Sequence, residues 1–293
     1  MLNIYLIGCG GIGGYLVEML PKCITSLSLD CLENSGYHAM VKRVLEANGN
    51  EPLPCVVDNL VLVDGDTFNP RNSIRQGNGA GSKLSQRMRS LQTDMVRITF
   101  LRNMHITGYN AYVNPMNIST IIPLEPKYNA HNREARSTYR YSGRSITNDT
   151  TVIFLCVDNA KTRYEVSMYA ETLPNVIVIN GGNEKVVGHV TVYERVDGEA
   201  LDPNLPEVYP DIRPDADKRP DEVGCDYVAP KHDQIAVTNS IVANVMMAMF
   251  NKWVRGGVPT NKRGQRQNEV LIDTENFVMQ PLVHPKAKGG KEC

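Results

Sequence analysis

The chain begins with an apolar run that breaks straight into glycine. Asn3 to Gly8 reads NIYLIG, the glycine loop GCGGIGG starts on its last residue, and YLVEML follows. The run does not alternate with polar residues, so it predicts a strand buried on both faces, as in a parallel sheet covered by helices. Strand, glycine loop and helix in this order open a nucleotide-binding α/β unit. Glycine lets backbone approach a ligand closely. A helix start offers free N–H groups and partial positive charge, which suit phosphate. Gly8, Gly10, Gly11 and Gly13 are therefore candidate nucleotide-binding positions.

The rest of the chain repeats the theme. VVDNLVLVD predicts the second strand, and a long helix starts near Ser82, with Leu84, Met88, Leu91, Met95 and Ile98 on one stripe. A third strand is expected near Tyr109 to Val113, with further strands at TVIFLCVD and NVIVING flanking the helix AKTRYEVSMYAETL. GHVTVYERV alternates, which suits an edge or antiparallel strand, and EVLIDTENFVMQPLV reads as a hairpin. The expected fold is α/β: a doubly wound, mostly parallel, Rossmann-like sheet with antiparallel strands in the C-terminal half. One domain covers residues 1–293. Residues 22–57 read as a polar, irregular insertion with one amphipathic helix at Tyr37 to Leu45. Residues 125–149 form a polar surface loop, and the proline- and acid-rich residues 201–232 a crossover-type loop. The apolar helix from Gln234 to Trp253 needs cover on both faces.

Net charge is −1, which argues against nucleic acid and membrane surfaces as partners. The first apolar run flows into the glycine loop without a cleavage site, so a cytoplasmic location is expected. Seven cysteines, an odd count with no CxxC pair, argue against a disulfide framework and a paired-cysteine zinc site.

The chemistry concentrates after the second strand, in LVDGDTFNPRNSIRQGNGAGSK. Asp64 closes the strand, where a carboxylate meets the ribose hydroxyls of a bound nucleotide. It lies about fifty residues past the glycines where roughly twenty is usual, and the insertion accounts for the excess. Asn72 and Arg75, three apart, share a face on a helical turn. Arg75 can fork two phosphate oxygens, Gln76 adds an amide donor, and Lys83 stands at the start of the long helix. Asp158 ends a strand and suits either a Mg²⁺ ligand or a helix N-cap.

The segments GCGGIGG, DGDTFNPRNSIRQ, GSK and CVDNAKTR together resemble the ThiF/MoeB/HesA family of ubiquitin-activating-type adenylyltransferases. Asp64, Asp66, Asn72, Arg75 and Gln76 match the family's second-strand pattern without a gap. Lys83 corresponds to its next lysine after a shorter spacer, and Asp158, Asn159 and Arg163 to its later Asp-Asn-x-x-x-Arg. The resemblance implies a ThiF-type fold, Mg²⁺ and ATP, and a homodimer. It implies attack of a C-terminal carboxylate on the α-phosphate, with Arg75, Lys83 and Asp158 catalytic and Asp158 the metal ligand. The carboxylate belongs, in the family, to a ubiquitin-like or sulfur-carrier protein ending in Gly-Gly. Some members then pass it to a cysteine in the loop before the late helix, the place of Cys225, whose neighbours here are acidic. The family's paired zinc cysteines are missing, and a compact, stand-alone member is expected. An NAD(P)-dependent oxidoreductase would account for the glycines and Asp64 alone, and a non-catalytic nucleotide-binding scaffold for binding alone.

Overall fold

The computed structural model describes residues 2–34, 55–68, 81–125, 140–141, 144–145, 150–222 and 235–286. Strand β1 (Leu2–Ile7) is buried along its whole length. It pairs in parallel with β2 (Val57–Val63) on one side and β4 (Thr150–Leu155) on the other. β3 (His105–Tyr109) joins β2, and β5 (Val176–Asn183) joins β4, both in parallel. From there the sheet turns antiparallel through β6 (Val187–Val196), β8 (Glu269–Asp273) and β9 (Val278–Leu282). A two-residue strand, β7 (Glu199–Ala200), pairs with β6. The order is β9-β8-β6-β5-β4-β1-β2-β3, a nine-stranded mixed sheet with β7 off the path. The expected fold class is the one observed.

Helices cover both faces, as continuous apolar strands demand. Leu2, Ile4 and Leu6 pack with α1 (Gly11–Asn34), α2 (Lys83–Arg97) and α4 (Ala236–Gly256). Tyr5 and Ile7 face the opposite layer, with Val166 and Ala170 of α3 (Ala160–Ala170) and with Ile118 and Ile121. The chain leaves β1 toward β2 and returns to β4 on the other side. Strand order therefore reverses between β1 and β4, and ligands of such sheets bind in the crevice at that point, beyond the strands' C-terminal ends.

Three elements differ from the sequence reading. The first helix does not stop at the start of the polar piece but runs through Pro21 to Asn34. An interior proline costs about 3 kcal/mol. The stripe Leu16, Leu20, Ile24, Leu27 and Cys31 is fully buried, and each large apolar side chain it buries contributes roughly 1.5–3 kcal/mol, so the stripe outweighs the break. The third strand ends at Tyr109, four residues short of Val113. Within the polar segment 125–149, Arg140–Tyr141 and Arg144–Ser145 form a short antiparallel ladder. The amphipathic helix expected at Tyr37 to Leu45 lies outside the described residues. Among those described, no helix is long and apolar enough to cross a membrane.

Phe154 of β4 is fully buried, edge-on to Phe250 of α4 with ring centroids 5.4 Å apart. Phe154→Ala is expected to cost about 3–5 kcal/mol of stability in urea unfolding. A loss under about 1 kcal/mol would mean that α4 does not seat on the sheet in this way.

Candidate functional site

A cleft of about 900 Å³, counting its open mouth, lies over the C-terminal ends of β1, β2 and β4, at the reversal of strand order. Gly8, Gly10 and Gly11 form one wall. Gly8 has φ +89° and lies against the Cys156 backbone, so a side chain there is excluded twice. Gly13 stands behind the wall: a methyl on it would lie 1.8 Å from the Gly8 carbonyl oxygen. The glycines thus divide their work between facing the cleft and letting α1 press onto β1.

Asp64 and Asp66 form the second wall with Lys83. The Asp64 carboxylate accepts the Cys9 N–H at 2.7 Å and the Asp66 N–H at 2.8 Å, and so fastens the glycine loop to the end of β2. Burial pushes the Asp64 carboxyl above its ordinary range, while nearby Lys83 pulls it back. Asp66 is the more open acid and pairs with the Lys83 ammonium at 2.6 Å. The Lys83 N–H also bonds the Asp66 carbonyl at 3.2 Å, and Ser82 caps α2 through the Ser85 N–H. A bridge between Thr67 and Ser82, with the Phe68 N–H bonded to the Gly81 carbonyl at 2.8 Å, brings the chain together on either side of residues 69–80. Asn72, Arg75 and Gln76 belong to that segment and lie outside the described residues, as does Cys225.

The third wall is the end of β4 and the start of α3. Asp158 lines the cleft and is exposed. The cap of α3 is Asn159, whose side chain accepts the Thr162 N–H at 2.8 Å. Asp217 completes it by accepting the Ala160 and Lys161 N–H groups at 2.8 and 2.9 Å. Asp217 gave no signal in the sequence, because its partners are more than fifty residues away. Tyr112 also lines the cleft unforeseen, its ring against Gly65. Burial, and then the charges of Asp66, Asp64, Asp221 and Asp158, push its hydroxyl up to about 12, so it stays a donor at neutral pH.

Arg163 points inward. Its guanidinium donates to the Val157 carbonyl at 2.5 Å, to the Gly181 carbonyl at 3.0 Å and to the Asn180 side chain, tying β4 to β5. Cys9 is buried and Cys156 half-buried beside the glycine loop, and burial pushes both thiols well up, so they serve as packing groups.

His189 of β6 lies near Gly182 and Arg163. Burial, then the Arg163 charge, hold it down to about 4 from 6.5. The folded state therefore binds fewer protons than the unfolded one between these values. The stability is present above about 6.5 and lost as pH falls through about 4. Its size is on the order of 3 kcal/mol at most. His189→Gln is expected to flatten the pH dependence of stability between pH 7 and 4, read by urea unfolding. An unchanged slope would place the titration elsewhere.

No family model matches the sequence, and no curated protein matches it. Solved structures do. PaaA aligns with a TM-score of 0.53 at 16% identity, over 97% of this chain and 73% of its own. MccB of E. coli, solved with succinimide, aligns with a TM-score of 0.56 at 13% identity, over 99% of this chain and 66% of its own. The form solved with ATP gives 0.54 at 11% identity over the same shares. The chain thus spans slightly under two thirds of MccB's length. At such identities the likeness is one of fold. Parallel strands first, antiparallel strands after and a match over nearly the whole chain make this the ThiF-like fold of MccB, the fold that the glycine loop and the Asp-x-Asp strand end implied.

Proposed function

We propose that this chain is an ATP-dependent adenylyltransferase that activates the C-terminal carboxylate of a polypeptide. The observation that carries the reading is the convergence of the glycine loop, the Asp66–Lys83 pair and the open Asp158 carboxylate on one cleft. Two helix N-termini face that region. The start of α3 is already occupied by Asn159 and Asp217, whereas α1 has no acid in its first turn. The α1 end is therefore the one suited to phosphate.

The residues fit ATP and Mg²⁺. Asp66, with Asp64 behind it, offers acceptors to the ribose hydroxyls, and the buried Lys83 is set beside them to meet phosphate oxygens. Among the described residues no cluster of three His, Cys, Asp or Glu suits a metal. A Mg²⁺ ion needs no such cluster, because one carboxylate, phosphate oxygens and water suffice. Asp158 is that carboxylate. Arg75, Asn72 and Gln76 are assigned to the phosphates on the resemblance, and Asn159, the cap of α3, lines the cleft.

In this reading a carboxylate oxygen attacks the α-phosphorus, the bond to the β-phosphate oxygen breaks, and acyl-adenylate and pyrophosphate result. Charge grows on the phosphoryl oxygens, and fixed cations at Lys83 and Arg75 stabilise it. MccB has been solved with ATP and, separately, with AMPCPP and MccA, which supports a nucleotide and a polypeptide as the two substrates here. A ubiquitin-like or sulfur-carrier protein ending in Gly-Gly fits the same chemistry. Transfer to Cys225, and a homodimer, complete the proposal.

Exchange of labelled pyrophosphate into ATP, driven by Gly-Gly carriers or peptides with free C-termini, tests it. Lys83→Ala and Asp158→Ala are each expected to lower exchange by about 10²–10³-fold with the fold intact by circular dichroism. ATP binding with no exchange across all acceptors would favour a scaffold and count against the enzyme.

A further inference from the structure

Arg87 lies one turn beyond Lys83 on α2, on the same helix face. Its side chain is only 12% exposed. The Nε–H donates to the Cys9 carbonyl at 3.4 Å, and the guanidinium stands 5.7 Å from the centre of the Phe68 ring. Cys9 gives its N–H to Asp64, so one residue of the glycine loop is held at both its N–H and its carbonyl by side chains of other elements. Phe68 is fixed in turn by its N–H to Gly81, at the point where the chain has left β2. Gly14 makes room for this arrangement: a methyl there would lie 2.3 Å from Nη2 and 2.9 Å from Cζ of Arg87. The last glycine of GCGGIGG is thus matched to a guanidinium, and not to the cleft.

We propose that Arg87 is a positioning residue that fastens the glycine loop to the chain leaving β2, and so sets the affinity of the cleft for a nucleotide. The second half of this statement rests on the function proposed above. The first half stands on contacts alone. Because Gly14 faces the far end of a flexible side chain, Gly14→Ala leaves the backbone in place and displaces the guanidinium. It breaks the same fastening from the other side.

Four full-length variants test this: Arg87→Ala, Arg87→Lys, Gly14→Ala and the Gly14→Ala/Arg87→Ala double. Amide hydrogen exchange by mass spectrometry reads the peptides around Cys9 and Phe68, and calorimetry with ATP and MgCl₂ reads affinity. Arg87→Ala and Gly14→Ala are each expected to speed exchange in both peptides together by about tenfold, and to weaken ATP by about tenfold. The double variant should be no worse than the worse single, because both remove one fastening. Arg87→Lys keeps the charge and loses the fork, and it carries the test should Arg87→Ala not fold. Unchanged exchange, faster exchange in only one peptide, or additive effects would overturn the inference. Absence of ATP binding by the wild type would defeat the proposed function, and exchange alone would then decide the role of Arg87.

Discussion

The site depends on a contact between two pieces of backbone. The first turn of α1 passes so close to the end of β1 that only hydrogen fits between Gly13 and the Gly8 carbonyl, where a methyl would lie 1.8 Å away. Such a contact has no rotamers to average over, so the direction of α1 is fixed as tightly as the strand itself. The Cys156 backbone supports Gly8 from the β4 side, and Asp64 holds the Cys9 N–H from the β2 side. Three strand ends therefore converge on one short loop. A site that develops charge in its reaction needs groups that do not reorganise, and backbone held in this way supplies them.

Around that loop the protein satisfies one helix start and leaves the other without an acid in its first turn. Asn159 and Asp217 cap α3, and the loop bearing Asp217 is anchored by Arg219. The Arg219 guanidinium grips Glu165 through both carboxylate oxygens at 2.6 and 2.8 Å and also bonds Asp221 and Glu222. Taking a guanidinium from water is costly, and it is tolerable here because its N–H groups meet carboxylates. The result is an acidic rim, with Asp158 lining the cleft beside Tyr112 and Asp221 near enough for its charge to act on the Tyr112 hydroxyl, in a cleft also lined by the Asp66–Lys83 pair. Negative charge on that rim repels a bare triphosphate and is compatible with one that arrives with a divalent cation.

Much of this was legible in the sequence where cause and effect lie close together. Continuous apolar runs gave the buried strands, because a strand buried on both faces has no reason to alternate. The helix starting near Ser82 was legible from its stripe. The extension of α1 was not, since the stretch from residue 22 read as a polar, irregular insertion, and the burial that keeps it helical is supplied by distant strands. Asp64 read as a residue for the sugar. The fold shows that it first has to hold Cys9 and Asp66, and no local pattern tells an acid that binds a ligand from one that binds backbone. Asp217 escaped for the same reason, and Arg163 was legible as a member of the motif but not as the stitch between β4 and β5: the partners of both are set by how distant segments meet α3, which is a property of topology.

The Asp-Asn-x-x-x-Arg stretch shows why a motif can survive where identity is low. Asn159 caps α3, and Arg163 stitches β4 to β5 through two carbonyls and Asn180. Both tasks belong to any chain folded this way, whether or not it handles a nucleotide. Their presence is evidence of fold. Asp158 differs: it is exposed on the cleft, and the helix start beside it already has its caps. A chain that had lost its chemistry would be free to replace Asp158 while keeping its two neighbours. The same holds less strongly for Lys83, whose pairing with Asp66 also steadies the start of α2. The distinction between an enzyme and a scaffold on this fold therefore rests on the one acid of the motif that the architecture does not require.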